Sequence, residues 1–153
     1  MKKSIFLLLI SCMSFCATRA AAQSVDSLQV VIDSLSVKVA NLEQELAFLK
    51  IDAEINDLDT EISIRSIEVS NILTNLYIGG SSAISQMREL YKALQGNIKY
   101  IKDKVDSLQE RVSSSEDSFS AFKYVSLSLN MIGVLQSYSN LEERMSIIED
   151  ALY

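Results

Sequence analysis

The residues best suited to chemistry in this chain are the acidic ones that follow residue 50. Asp57, Asp59, Glu61 and Glu68 stand at positions 1, 3, 5 and 12 of the spacing that calcium-binding loops use. Position 6 of such a loop needs glycine for its sharp turn, and here the residue is Ile62, whose branched side chain disfavours that turn. We therefore expect no metal here. The acidic run predicts a solvated helix face instead.

Residues for catalysis are scarce. The chain has no histidine and two cysteines, Cys12 and Cys16. Without histidine, His-based triads and the common zinc ligand sets are excluded. Serines are numerous, but no neighbouring pattern marks one as a nucleophile. We expect a protein that is not an enzyme and that needs no cofactor.

The first 22 residues have the build of a secretory signal peptide. Lys2 and Lys3 form a basic start, 5–17 is an apolar run, and the three alanines at 20–22 make a small-residue cleavage site before Gln23. This predicts an exported protein of bacterial type, either periplasmic or extracellular. An alternative is a lipobox ending at Cys12, which would make the chain a lipid-anchored envelope protein.

Cleavage before Gln23 would change both the charge and the thiol content of the chain. Removal of Lys2, Lys3 and Arg19 from the 14 basic residues leaves 11 against 20 acidic ones, a net charge of −9. Such a surface repels phosphate backbones, so we expect no nucleic-acid partner. Both cysteines would also be lost. A small exported domain without disulfides must be stabilised by packing or by self-association.

Residues 23–47 predict a coiled-coil extension. Apolar residues fill the a and d positions of four heptads that run to residue 49. The a positions hold Val25, Ile32, Val39 and Leu46, and the d positions hold Leu28, Leu35, Leu42 and Leu49. β-Branched residues at a with leucine at d favour a parallel two-stranded coil. We therefore expect a homo-oligomer, with a dimer favoured over a trimer.

The charged residues beside this seam agree with a parallel dimer. Lys38 would face Glu43 of a second chain, and Glu45 would face Lys50. Valines at the outer f positions would stay wet in a two-stranded coil. A trimer, or cover by the same chain, therefore remains open.

The sequence pattern of residues 48–153 predicts an all-α fold. We expect a long antiparallel bundle of three helices in up-down-up order. Apolar residues recur at alternating intervals of three and four, with Arg65 interrupting the first series. The expected helices are 48–77, 83–112 and 117–152. Glycines and serines at 79–82 separate the first two, and a capping-box spacing from Ser113 to Glu116 precedes the third. Alternation within 61–69 and 125–130 leaves some strand as an alternative.

Taken together, these patterns predict an exported coiled-coil structural or adaptor protein that self-associates and binds another protein through its helix faces. The alternative is a membrane-active, pore-forming type of hairpin. Its basis is the uncharged stretch 69–87, with Tyr77, Ile78, Gly79 and Gly80 at the tip. Membrane contact could thus arise through this hairpin or through lipidation of Cys12.

Overall fold

Three helices make up the chain. A computed structural model describes the backbone from Lys2 to Tyr153 and the side chains of residues 25–79 and 83–153. The helices are α1 (Lys2–Ile78), α2 (Gly80–Ser114) and α3 (Ala121–Leu152). No strand occurs within residues 2–153, which confirms the predicted all-α class. The signal-peptide and Cys12 lipidation predictions concern side chains outside the described ones.

The segments 61–69 and 125–130, whose apolar residues alternate, lie inside α1 and α3. Helical periodicity extends on both sides of each segment, so the continuing helix outweighs the short strand-like pattern. The helix α1 also runs without a break through residues 47 and 48, where the predicted extension meets the predicted bundle.

Contacts between α1 and α2 show that these helices are antiparallel. Glu54 of α1 pairs with Arg111 of α2, and Glu61 pairs with Lys104, with 2.9 Å between its Oε2 and the Lys104 Nζ. Residue numbers rise along α1 while those of the partners fall along α2. A connection this short leaves two helices no other way to pack side by side.

Contacts between α1 and α3 show that these two helices are parallel. The Asn130 amide donates to the Asp52 carboxylate at 3.1 Å, and further along Arg144 donates to the Ser70 hydroxyl. Residue numbers rise together along both helices. The three helices therefore have the predicted up-down-up order.

The core consists of one buried apolar stripe from each helix. Intervals of four and three residues alternate along the stripes of α2 and α3, which keeps the side chains on one helical face. The stripe of α1 follows the same alternation except for the step from Ile62 to Val69, where Arg65 interrupts it. From α1 it contains Ile51, Ile55, Leu58, Ile62, Val69 and Ile72; from α2, Met87, Tyr91, Leu94, Ile98, Ile101, Val105, Leu108 and Val112; from α3, Leu127, Met131, Val134, Tyr138, Leu141, Met145, Ile148 and Leu152. Each aliphatic side chain stabilises the fold by about 1.5–3 kcal/mol through burial.

A single residue, Gly79, separates α1 from α2. Its amide donates to the carbonyl oxygen of Asn75 at 2.8 Å. A Cβ atom at Gly79 would lie 2.7 Å from that same oxygen and would overlap the Cβ of Ala83. Glycine is therefore required here because the next turn passes too close for any side chain.

The connection between α2 and α3 differs from the prediction. Ser113 lies in the last turn of α2, and α3 begins at Ala121 rather than near 117, so the capping box with Glu116 does not form. The chain instead turns around the buried Ser115, whose hydroxyl donates to the Val112 carbonyl oxygen at 2.7 Å. The Ser115 carbonyl oxygen then accepts from two later amides, Ser118 at 3.0 Å and Phe119 at 3.2 Å.

A pair of aromatic rings holds this connection in place. The Phe119 ring meets the Phe48 ring of α1 edge to face, with 6.0 Å between the centroids. Phe119 therefore lies against α1 just before Ser120, the N-cap residue of α3.

The chain divides into two compact units, residues 1–43 and residues 44–153. The buried core lies entirely in the second unit. In the first unit, the described residues 25–43 are all exposed.

Candidate interaction surface

The most extensive exposed apolar feature among the described residues is the predicted oligomer seam on α1. All eight seam residues are between 52% and 68% exposed. They are Val25, Leu28, Ile32, Leu35, Val39, Leu42, Leu46 and Leu49. Residues of this type are usually buried, and a continuous apolar stripe on the surface marks an interaction site. Within the described part of the chain, nothing buries this stripe.

Valines on the other sides of the same helical segment are exposed as well. Val30, Val31 and Val37 belong to this group. Only two of them, Val30 and Val37, occupy the outer f positions. A two-stranded coil would leave those two in water, whereas a trimer covers more of each helix.

Of the four charged residues beside the seam, one forms an ion pair inside the chain. Lys38, Glu43 and Lys50 are exposed. Glu45 forms an ion pair with Lys123 of α3, whose ammonium also lies 5.3 Å from the centre of the Phe48 ring. A pair between Glu45 and Lys50 of a second chain would therefore compete with a contact inside the chain.

The tip between α1 and α2 carries two highly exposed apolar side chains. Tyr77 is 86% exposed and Ile78 is 80% exposed, next to Gly79. The side-chain position of Gly80 lies outside the described residues. Over the part of the chain that the structure describes, no helix has the length and apolarity needed to cross a membrane.

Two acidic residues of α1, Glu54 and Glu61, form contacts with α2. Ile62, at the glycine position of a calcium loop, is buried in the core. Glu54 accepts hydrogen bonds from Arg111, and these lower the pKa of the Glu54 carboxyl. The Glu61 carboxylate accepts from Lys104, which raises the pKa of that ammonium. The described residues contain no cluster of three or more side chains suited to a metal ion.

Burial also perturbs Tyr138 in the core stripe of α3. The loss of water around its ring raises the pKa of the phenol, as does its hydrogen bond to Glu142 at 2.6 Å. The hydroxyl therefore stays protonated and acts as a donor, which satisfies the polar end of a mostly buried ring.

A groove between α1 and α2, lined by both polar and apolar residues, was not predicted from the sequence. It is a cavity of about 350 Å³ lined in part by Arg65, Glu68, Asn71, Asn75 and Asn97. The signal that could have located it is Arg65 itself, the one charged residue in the apolar series of α1.

Comparison with known proteins gives no relative. No protein-family model, curated protein or solved structure matches this chain.

Proposed function

We propose that this chain is an exported structural or adaptor protein that self-associates through the α1 seam and binds another protein through the helices of its bundle. The observation that carries the proposal is the exposure of all eight seam residues in the single chain. Their heptad spacing supplies the geometry by which a second copy would cover them. The role is one of assembly and binding rather than catalysis.

Seam burial supplies enough free energy for association. Each seam side chain that a second copy buries contributes about 1.5–3 kcal/mol at most, and each chain brings eight. Loss of overall motion on association costs on the order of 4–15 kcal/mol. Burial therefore exceeds this cost when most of the seam is covered in both chains.

The order of the oligomer is proposed from the residue types at the seam. β-Branched residues at a with leucines at d favour two parallel chains. In that arrangement Lys38 would face Glu43 of the second chain, and their opposite charges attract. Exposed pairs of this kind contribute under about 1 kcal/mol each, so they select register more than they add stability.

The test is the mass of residues 23–153 by light scattering, beside variants of the seam. We expect a dimer, and we expect Leu35→Asp with Leu42→Asp to lower the oligomer order while circular dichroism remains helical. Val30→Asp with Val37→Asp is the matched control, because it adds the same two charges at outer positions that a dimer leaves in water. A single-chain mass for the unmodified protein, or an unchanged mass for the double variant, would sink the proposal.

A fragment without the seam tests whether the bundle folds on its own and whether assembly needs the seam. Residues 50–153 keep the buried core but lack the seam. We expect this fragment to be a folded monomer. If it has the same oligomer order as residues 23–153, the seam is not the assembly device.

A second candidate function is action on membranes through the α1–α2 tip. It is favoured by the exposure of Tyr77 and Ile78, two apolar side chains on an uncharged hairpin. The test is release of dye from vesicles of mixed neutral and anionic lipid. Release that Tyr77→Ser with Ile78→Ser abolishes would support this function, and no release would exclude it.

A further inference from the structure

A second exposed stripe on α1, here called the outer stripe, begins where the seam ends. From residue 46 to residue 78 an exposed side chain recurs at intervals of three or four, and all of these residues belong to the second compact unit. The outer stripe consists of Leu46, Leu49, Ala53, Asn56, Thr60, Ile64, Ile67, Asn71, Thr74 and Ile78. Its first two members are also the last two of the seam, so it continues the proposed interface along the bundle.

One step of the outer stripe departs from strict heptads. The interval from Thr60 to Ile64 is four residues, where the heptad pattern expects three. A coiled coil accommodates such a step by unwinding locally. With Ile64 at a, the a and d positions then alternate regularly as far as Ile78. The sequence spacing is therefore compatible with one continuous interface.

The outer stripe points away from α2 and α3. Each of its members from residue 49 to residue 74 stands two positions from a buried core residue, as Ile64 does from Ile62 and Ile67 does from Val69. Two residues correspond to about 200° around a helix, so the stripe lies opposite the buried face. The other two helices pack on that buried face. A helix of a second copy can therefore lie along the stripe without meeting either of them.

Three large apolar side chains belong to this stripe beyond the seam. Ile64 is 49% exposed, Ile67 is 62% exposed and Ile78 is 80% exposed. Isoleucine is among the residues most often buried, so cover by a second copy would stabilise these positions. Three such residues against the eight of the seam mean that the outer stripe adds to association without replacing the seam. This agrees with the monomer expected for residues 50–153.

The two threonines of the outer stripe are prepared for burial. The Thr60 hydroxyl donates to the carbonyl oxygen of Asn56 at 2.9 Å, and the Thr74 hydroxyl donates to the carbonyl oxygen of Ser70 at 2.8 Å. Both hydroxyl protons are thus satisfied within α1. A second helix that covers these residues takes no hydrogen bond from them, and it meets their methyl groups.

The two asparagines suit a copy of the same chain as the partner. In a parallel pair, Asn56 and Asn71 would each face their own copy, and an amide both donates and accepts. Asn71 falls at an a position, where asparagine fixes the register and the oligomer state at a cost in stability. The residue types of the outer stripe therefore favour the same parallel dimer as those of the seam.

Charges beside the outer stripe oppose the contact at one level. In the parallel register that sets Lys38 opposite Glu43, Asp52 lies opposite Asp57 of the second copy. Exposed like charges repel only weakly, so this pair lowers the affinity without preventing association. Its removal should strengthen a dimer that extends this far.

We propose that two copies of the chain pack along the outer stripe, so that the dimer interface continues from Leu49 to Ile78 and joins the two bundles side by side. The inference rests on the proposed self-association through the seam, and it assigns a further part of the same interface. The bundle is then a component of the assembly rather than a domain displayed beyond it.

The experiment measures the dissociation constant of the dimer by sedimentation of the full chain over a dilution series. Ile64→Asp with Ile67→Asp should weaken the dimer about a hundredfold or more, because four isoleucines in each dimer lose their cover. Ile132→Asp with Ile147→Asp is the matched control, since these two residues of α3 are 50% and 47% exposed and lie off the stripe. The control should leave the constant unchanged within about twofold.

A second variant repeats the test without added charge. Ile64→Ala with Ile67→Ala should weaken the dimer about tenfold, and circular dichroism should show an unchanged helix content. A loss of affinity in this variant cannot be ascribed to a fold disturbed by new aspartates.

Asp57→Asn should act in the opposite direction. It removes the repulsion from Asp52 at two equivalent places in the dimer, so the affinity should rise about two- to fivefold at low ionic strength. Asp150→Asn is the control, because it removes the same charge from an exposed position on α3 and should have a smaller effect. A damaged fold cannot produce a gain of affinity.

The outcomes separate this inference from the proposed function. An unchanged dissociation constant in both variants of Ile64 and Ile67 overturns the inference, whereas the seam is still judged by Leu35→Asp with Leu42→Asp. An equal loss in the α3 control, or a gain in Asp57→Asn no larger than in Asp150→Asn, overturns it as well. A single chain at every concentration overturns both the inference and the self-association on which it rests.

Discussion

The guanidinium of Arg111 on α2 holds the carboxylate of Glu54 on α1 with both of its terminal nitrogens. Nη2 donates to Oε1 at 3.1 Å, and Nη1 donates to Oε2. The two side chains are 42% and 47% exposed, so water screens much of their attraction. The geometry nevertheless sets Glu54 and Arg111 at the same level of the bundle, and so favours one antiparallel register of α1 against α2.

The Glu54–Arg111 pair should make stability depend on pH. Because the hydrogen bond from Arg111 lowers the pKa of Glu54 in the folded state, its contribution is complete above the unfolded value of 4.5. It is lost as the pH falls from there through the lower, folded pKa. We expect a coupling of under about 1 kcal/mol at pH 7 and a smaller one at pH 3.

The measurement for this pair is a double-mutant cycle with Glu54→Gln and Arg111→Gln, in urea denaturation at both pH values. A coupling free energy that does not fall on acidification would contradict the assignment.

Substitution by alanine should have very different effects on the free energy of unfolding at two leucines of α3. Leu141 is fully buried and Leu129 is 62% exposed. Leu141→Ala should lower the free energy of unfolding by about 2–5 kcal/mol, because it leaves a cavity in the core. Leu129→Ala should change it by no more than about 0.5 kcal/mol. Chemical denaturation of both variants checks this, and a comparable loss at Leu129 would mean that a partner covers that residue.

Replacement of glycine by alanine should have opposite effects on the stability of the protein at two positions. Gly133 lies inside α3 with open space around a new Cβ, so Gly133→Ala should stabilise the protein by about 0.5–1 kcal/mol. Gly79→Ala should destabilise it, since the added atom overlaps Ala83 and crowds the Asn75 carbonyl oxygen. Thermal unfolding measures both variants, and a gain in melting temperature for Gly79→Ala would show that the turn can open at little cost.

Two phenylalanines near the second connection provide another matched pair. Phe119 is partly buried and packs on Phe48, whereas Phe122 is 84% exposed. Phe119→Ala should lower the free energy of unfolding by at least about 0.5–1.5 kcal/mol, the contribution of the ring pair alone. Phe122→Ala should cost under about 0.5 kcal/mol.

Urea denaturation compares the two phenylalanine variants, and Phe48→Ala completes a cycle with Phe119→Ala. Additive losses in that cycle would mean that the edge-to-face contact contributes nothing beyond burial.

The helices and their buried faces could be predicted from the sequence because both depend on local periodicity. Ile101 and Leu141 recur at helical intervals from apolar neighbours in stretches without proline, and both are buried. The break at Gly79 is equally local, since only a glycine tolerates so close an approach of the next turn. Short connections between the helices then leave the up-down-up order as the simple solution.

Tertiary structure alone decided the features that depend on residues far apart in the chain. The contact of Phe119 with Phe48 joins two residues far apart in the chain, and no local pattern encodes it. The groove at Arg65 exists because α2 packs beside an interrupted stripe. Glu45 is drawn to Lys123 of α3 because parallel packing brings them to the same level. Local sequence sets which face of a helix is apolar, but the packing of distant segments decides which apolar faces are covered and which, like the seam on α1, are left exposed.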